Sequence, residues 1–202
     1  MYCPPHFVEN DPNALRALID ANNFAVLVSP VDGQAFATHL PFLYRPESAL
    51  LSAHMARANP HWQALAAKPD DALVIFQGPH EYVSPTWYGE PGVPTWNYTA
   101  AHVYGAFELI EDAAAHRDVL AALTVHHEAG NSPPWQADFT APSIAGMLRG
   151  TVAFNIRIRT IEGKFKLSQN RSQADRQRVV AALEARGGDN ALGVAGLMRE
   201  RQ

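Results

Sequence analysis

Cysteine is nearly absent: Cys3 stands alone in 202 residues. The chain therefore forms no internal disulfide and assembles no thiolate cage for a structural metal. Lysine is scarce as well, occurring only as Lys68, Lys164 and Lys166. No run approaches the roughly 18 apolar residues that a membrane-spanning helix requires. The opening Met1-Tyr2-Cys3-Pro4-Pro5-His6 lacks the basic flank and apolar stretch of a signal peptide. These absences lead us to expect a soluble, cytoplasmic protein with no membrane partner.

Several catalytic and nucleotide motifs are missing too. The sequence contains no G-x-G-x-x-G, no G-x-x-x-x-G-K-[ST], no H-E-x-x-H and no G-x-S-x-G. Nine histidines invite a metal reading, but they are scattered. His126-His127-Glu128 falls on a predicted helix, where neighbours point about 100° apart and do not chelate together. No metal site is expected.

What is present suffices for a packed domain. Hydrophobic residues make up 47% and charged residues 18%, which suits a globular core and excludes a disordered chain. The net charge of −4 conceals an asymmetry: residues 1–148 hold 5 basic against 15 acidic side chains, and residues 149–202 hold 11 against 5. A basic C-terminal quarter suits an anionic ligand. Ion pairing with the acidic part is the commoner cause of such a pattern.

Asp11-Pro12 starts a short helix through Leu15, Leu18 and Ile19. Residues 24–28 and 35–40 form strands around a turn at Asp32-Gly33. Residues 50–54 and 72–76 are further strands, with Gly78-Pro79 breaking the second and 81–84 forming a short edge strand. A long strand covers 95–110, with a bulge expected at Gly105. A helix over 112–129 turns Val119, Leu120, Leu123 and Val125 inward. Val152, Phe154, Ile156 and Ile158 alternate with Ala153, Asn155, Arg157 and Arg159, giving a strand with one wet face. Ser172 and Asp189 start two last helices. The expected class is α+β, a barrel of mostly antiparallel strands with peripheral helices. The barrel domain covers 1–171, and 172–202 is a C-terminal helical extension packed on it.

Three clusters carry candidate chemistry. In His54-Met55-Ala56-Arg57-Ala58-Asn59-Pro60, an arginine precedes a helix start, an arrangement that binds phosphate. In Gly163-Lys164-Phe165-Lys166-Leu167-Ser168-Gln169-Asn170, strand alternation sets Lys164, Lys166 and Ser168 on one face and Phe165 and Leu167 on the other. Trp96, Asn97 and Tyr98, with Trp87-Tyr88 nearby, offer a flat apolar surface with hydrogen-bonding groups for a planar ligand. The same rings equally suit a core or a dimer interface.

These segments resemble the PaiB-like family of FMN-binding negative transcriptional regulators, relatives of the pyridoxamine-phosphate-oxidase-like split β-barrels. The likeness runs in order through Met1-Tyr2 and Pro4 to Phe7, FATHLP (36–41), HMARANPHW (54–62), VIFQGPHEYVSPTWY (74–88), VPTWNYTAAHVYG (93–105) and IEGKFKLSQNRS (161–172). The tail after about Arg176 carries no diagnostic residue. The resemblance implies an FMN-binding split-barrel homodimer with the flavin in a groove between subunits. It implies that Arg57 and Asn59 hold the phosphate, with Lys166, Ser168 and Gln169 completing phosphate or ribityl contacts. Thr38, His39, Leu40 and His54 would lie along the ring, and Trp96, Asn97 and Tyr98 would come from the partner subunit. A repressor's partner is DNA, yet the chain is acidic and its last helix is mostly apolar, which argues against direct base reading. A flavin-dependent oxidoreductase and a haem-binding split-barrel protein are the alternatives.

Overall fold

The computed structural model describes residues 1–139 and 141–201. It contains eight strands: β1 (Val8–Glu9), β2 (Phe24–Val31), β3 (Gln34–Pro41), β4 (Leu43–Arg45), β5 (Leu50–Ala56), β6 (Ala72–Val83), β7 (Thr95–Leu109) and β8 (Thr151–Lys166). The helices are α1 (Pro12–Ala21), α2 (His61–Ala67), α3 (Ala113–Glu128), α4 (Pro142–Leu148), α5 (Gln173–Arg186) and α6 (Asp189–Arg199). The sheet runs β3-β2-β6-β7-β8-β5-β4, with β1 on β8. The pairings β1–β8, β2–β3, β2–β6, β4–β5 and β5–β8 are all antiparallel. The α+β expectation of a mostly antiparallel sheet with peripheral helices holds.

Two compact units share this chain. Unit 2 comprises residues 22–76 and 102–161. Its centre is aromatic: Phe107 stacks on Phe154 at 5.0 Å, and Phe42 meets Phe154 and Phe76 edge-on at 6.3 and 6.0 Å. All four rings are buried. Asp112 caps α3 through the Ala115 amide, and the helix lays Val119 and Leu123 on Ala153 of β8. Val125, expected on the inner face, is 72% exposed. It stands one residue past Thr124, whose hydroxyl turns back to the Leu120 carbonyl.

Unit 1 comprises residues 1–21, 77–101 and 162–202. Leu15, Leu18 and Ile19 of α1 are buried, as are Val179, Val180 and Leu183 of α5 and Val194, Ala195 and Met198 of α6. Ser172 caps α5 through the Asp175 amide, as its position predicts. Gly78-Pro79 does not break β6, which runs on to Val83. Gly78 serves a close approach instead: a Cβ there would sit 2.2 Å from Thr99 Oγ1 and 2.4 Å from Leu18 Cδ1. The expected separate edge strand at 81–84 is the end of β6.

Gly105 works in the same way within unit 2. β7 passes through it unbroken, and a Cβ would lie 2.5 Å from the Arg157 carbonyl oxygen. A backbone atom has nowhere to retreat, so Gly105→Ala should cost about 1–3 kcal/mol. Urea unfolding of the variant is expected to show a lower midpoint with an unchanged slope.

Candidate functional site

The basic C-terminal quarter is largely accounted for by pairing within the chain. Arg157 meets Glu108, Arg159 meets Asp70, Arg186 meets Glu81 and Arg201 meets Glu9. Most of these are exposed pairs of the kind worth about 0–1 kcal/mol each. Lys164, Lys166 and Arg171 have no carboxylate partner among the described residues. All three lie in unit 1.

Lys164 is only 8% exposed. Its ammonium donates to the Tyr2 carbonyl at 3.1 Å and lies over the Tyr2 and Tyr98 rings at 5.6 and 5.2 Å. Lys166, at the end of β8, donates to Thr95 Oγ1 and to the Trp96 carbonyl. Burial, with the neighbouring Lys164 charge, holds the Lys166 pKa below the ordinary lysine value. Two ammonium groups thus share a partly dry region in which every acceptor is neutral or aromatic, an arrangement that favours an incoming anion.

The strand ends there, and a turn completes the site. Ser168 has φ +63°, a left-handed conformation that non-glycine residues hold at a cost of order 1–3 kcal/mol. Gln169 supports the turn with both ends of its amide, accepting from the Leu167 amide and donating to the Phe165 carbonyl. Arg171 N donates to the Ser168 carbonyl at 2.9 Å. Ser168 Oγ exchanges hydrogen bonds with the fully buried Asn97, whose Nδ2 also reaches Met198 Sδ. The Arg171 guanidinium lies over the Tyr88 ring at 4.3 Å.

Tyr88, Val93, Thr95, Asn97, Lys166, Ser168, Asn170 and Arg171 line a cleft of about 120 Å³. It is small, polar and flanked by two cations, which fits a phosphate rather than a ring system. Phe165 and Leu167 are buried as alternation predicts. Ser168 reaches its place through the left-handed turn, not through strand alternation. Trp96 points outward, 52% exposed, between His80 and Tyr82.

The other sequence candidates lie in unit 2, in three settings. Thr38 joins Asn59 and His61: Asn59 Nδ2 donates to Thr38 Oγ1, Asn59 Oδ1 accepts from the His61 amide, and the buried His61 ring bridges Thr38 Oγ1 and Ser29 Oγ. Leu40 is a core residue, and His39 is exposed against Phe24. Arg57 turns its guanidinium onto the Arg149 and Thr151 carbonyls at 2.8 and 2.9 Å. His54 lines an apolar pocket beneath α3, and its Nδ1 is buried without a partner.

His116, which sequence reasoning missed, bonds Thr151 Oγ1 at 3.0 Å and couples electrostatically to both His54 and Arg57. Nothing local marks it, since its role depends on where α3 meets β8. Arg171 and Tyr88 were visible inside the two aligned motifs. Their importance lies in a stacking that only the fold creates.

Comparison with known proteins agrees with this architecture. The FAD- and haem-binding protein of Mycobacterium smegmatis superposes with a TM-score of 0.64 at 22% identity, over 90% of this chain and 80% of its own. The flavocytochrome of Azotobacter vinelandii gives a TM-score of 0.62 at 17% identity, over 79% and 69%. The fold is thus that of the split-barrel flavin-binding proteins. Residues 1–160 match the family described as "Putative FMN-binding domain", and the chain belongs to it, as the PaiB-like motifs indicated. FMN is the cofactor of that family. The protein named "Protease synthase and sporulation protein PAI 2" from Bacillus subtilis (strain 168) is 32% identical over 203 residues, covering 100% of this chain and 98% of that one.

Burial lowers the pKa of His54, His61 and His116, with His116 adding to the effect on His54 and Arg57 to that on His116. An unfolded histidine titrates near 6.5, so below that pH the unfolded chain binds more protons than the folded one. Stability is full above the unfolded pKa and is lost as pH falls through it towards the lowered folded values. The melting temperature should therefore fall from about pH 7.5 to about pH 5. His116→Gln is expected to flatten that slope, as read by calorimetry across the pH series.

Proposed function

We propose that this chain is an FMN-dependent regulatory protein whose phosphate grip is the unit 1 cleft of Lys166, Ser168 and Arg171. The observation that carries the reading is a buried and a half-buried ammonium group with neutral partners, beside a strained serine and a stacked guanidinium. A phosphate dianion would supply the missing counter-charge and accept from Lys166, Arg171 and the Thr95 hydroxyl. FMN supplies a redox centre when bound; the residues of this chain hold its anionic end and set the local charge. Gln169 acts indirectly, by fixing the turn that presents Ser168. In unit 2, Arg57 braces two carbonyls, so its role towards the flavin is secondary.

The protein works as a homodimer in the cytoplasm in this reading. The half-exposed Trp96 supports the first part, since aromatic anchors are enriched at interfaces, and a free Cys3 accords with the second. The B. subtilis relative's name ties it to protease synthesis and sporulation, and a controlling role of that kind is what we infer here.

Flavin titration with fluorescence quenching tests the grip. Arg171→Ala and Lys166→Ala should each weaken FMN binding about tenfold or more. Arg57→Ala should weaken it less. Equal affinities for all three variants and the unaltered chain would remove the cleft from the flavin site. A Soret band on haemin addition, with no flavin response, would replace the flavin reading altogether.

A further inference from the structure

Unit 2 contains a larger recess whose chemistry is unlike that of the cationic cleft. It measures about 570 Å³, within the 300–1,000 Å³ range of small-molecule pockets. Leu120, Leu123 and Thr124 of α3 form one wall, Ile144, Met147 and Leu148 of α4 another, and Trp135 and Phe139 of the intervening segment close a third side. His54 of β5 and Thr151 of β8 supply polar groups on the sheet side.

The charge on this lining is already committed. No lysine or arginine is among the lining residues. The one carboxylate, Glu128, accepts from Asn131 Nδ2 at 2.9 Å and from the Trp135 amide at 2.7 Å. Those two bonds hold its pKa below the usual carboxylate range, the Asn131 bond most, and they pin the wall that carries Trp135. A phosphate entering this pocket would find no lysine or arginine in its lining. An uncharged apolar molecule would find a mainly apolar surface with the His54 ring on its sheet side.

We propose that this pocket binds an uncharged, mainly apolar small molecule carrying one hydrogen-bonding group, which His54 engages. It is a second ligand, separate from FMN, and its binding does not require the phosphate grip described above. Burial and the nearby His116 keep the His54 imidazole neutral to lower pH than usual, so it offers a donor and an acceptor without adding charge. Trp135 and Met147, 58% and 73% exposed, form an apolar rim at the entrance.

The test uses the full chain loaded with FMN and two neutral fluorescent probes: Nile red, which has a carbonyl group, and diphenylhexatriene, which has no polar atom. Both should bind saturably, one per chain, with the blue-shifted Nile red emission of an apolar site, and excess FMN should displace neither. Leu120→Trp fills the pocket and should weaken both probes about tenfold or more while leaving FMN affinity unchanged. Met147→Trp, on the exposed rim, gives the same readout should Leu120→Trp fail to fold. His54→Leu should weaken Nile red about fivefold or more, the worth of one hydrogen bond, and leave diphenylhexatriene unaffected. Absence of saturable probe binding would overturn the proposal. So would displacement of the probes by FMN, which would make the pocket part of the flavin site. Equal responses of the two probes to His54→Leu would overturn the part assigned to His54.

Discussion

Phe154 is the point on which unit 2 depends. It stacks on Phe107 and takes the edge of Phe42, which in turn meets Phe76. One connected set of rings thereby ties β6, β7, β8 and the residue between β3 and β4. Removing a buried phenylalanine side chain costs about 3–5 kcal/mol, against a total stability of about 5–15 kcal/mol. The same strand that buries Phe154 begins at Thr151, where Arg57 and His116 attach, and ends at Lys166. A single well-anchored strand therefore begins beside the Arg57–His116 cluster and ends beside the cationic cleft.

The two recesses differ in how they treat charge, and that difference separates their chemistries. In unit 1, lysines are retained in a partly dry environment with only neutral partners, which costs stability and makes sense for a site that receives an anion. In unit 2, the only carboxylate lining the pocket is held ionised by hydrogen bonds from its own loop, and the His54 imidazole beside it is held neutral. Burial shifts both Lys166 and His54 downward. The consequence differs, because a lysine stays cationic at neutral pH over a far wider range of shift than a histidine does.

Much of the fold was legible because it is written locally. The caps at Asp112 and Ser172, the Asp32-Gly33 turn and the alternation through Phe154 depend only on neighbours in sequence. Gly78 looks like an interruption, but it makes room for another part of the chain, and a close approach leaves no local mark. Val125 is grouped with Leu120 and Leu123 by sequence although, at about 100° per residue, it stands on the opposite side of the helix, and it is exposed. The candidate site divides similarly. Lys166, Ser168 and Asn97 stood out through lysine scarcity and aromatic clustering, and the structure brings them together. Arg57 had the local pattern of an anion binder, while its guanidinium turns to carbonyls 92 and 94 residues away in sequence. His116 had no local signal at all.

Ser168 narrows the sequences this protein can use. Its backbone conformation favours glycine, asparagine or aspartate, while its side chain, 4% exposed and bonded to Asn97, favours a small hydroxyl. Glycine would ease the backbone and leave Asn97 short of a buried partner. Asparagine or aspartate would suit the backbone and overfill the space. Threonine keeps the hydroxyl but adds a branched carbon where the left-handed region is least tolerant. Each single substitution repairs one demand and violates another, so a change at position 168 needs a matching change at position 97. The two sites are 71 residues apart in the chain, and the side chain at each limits what the other can be.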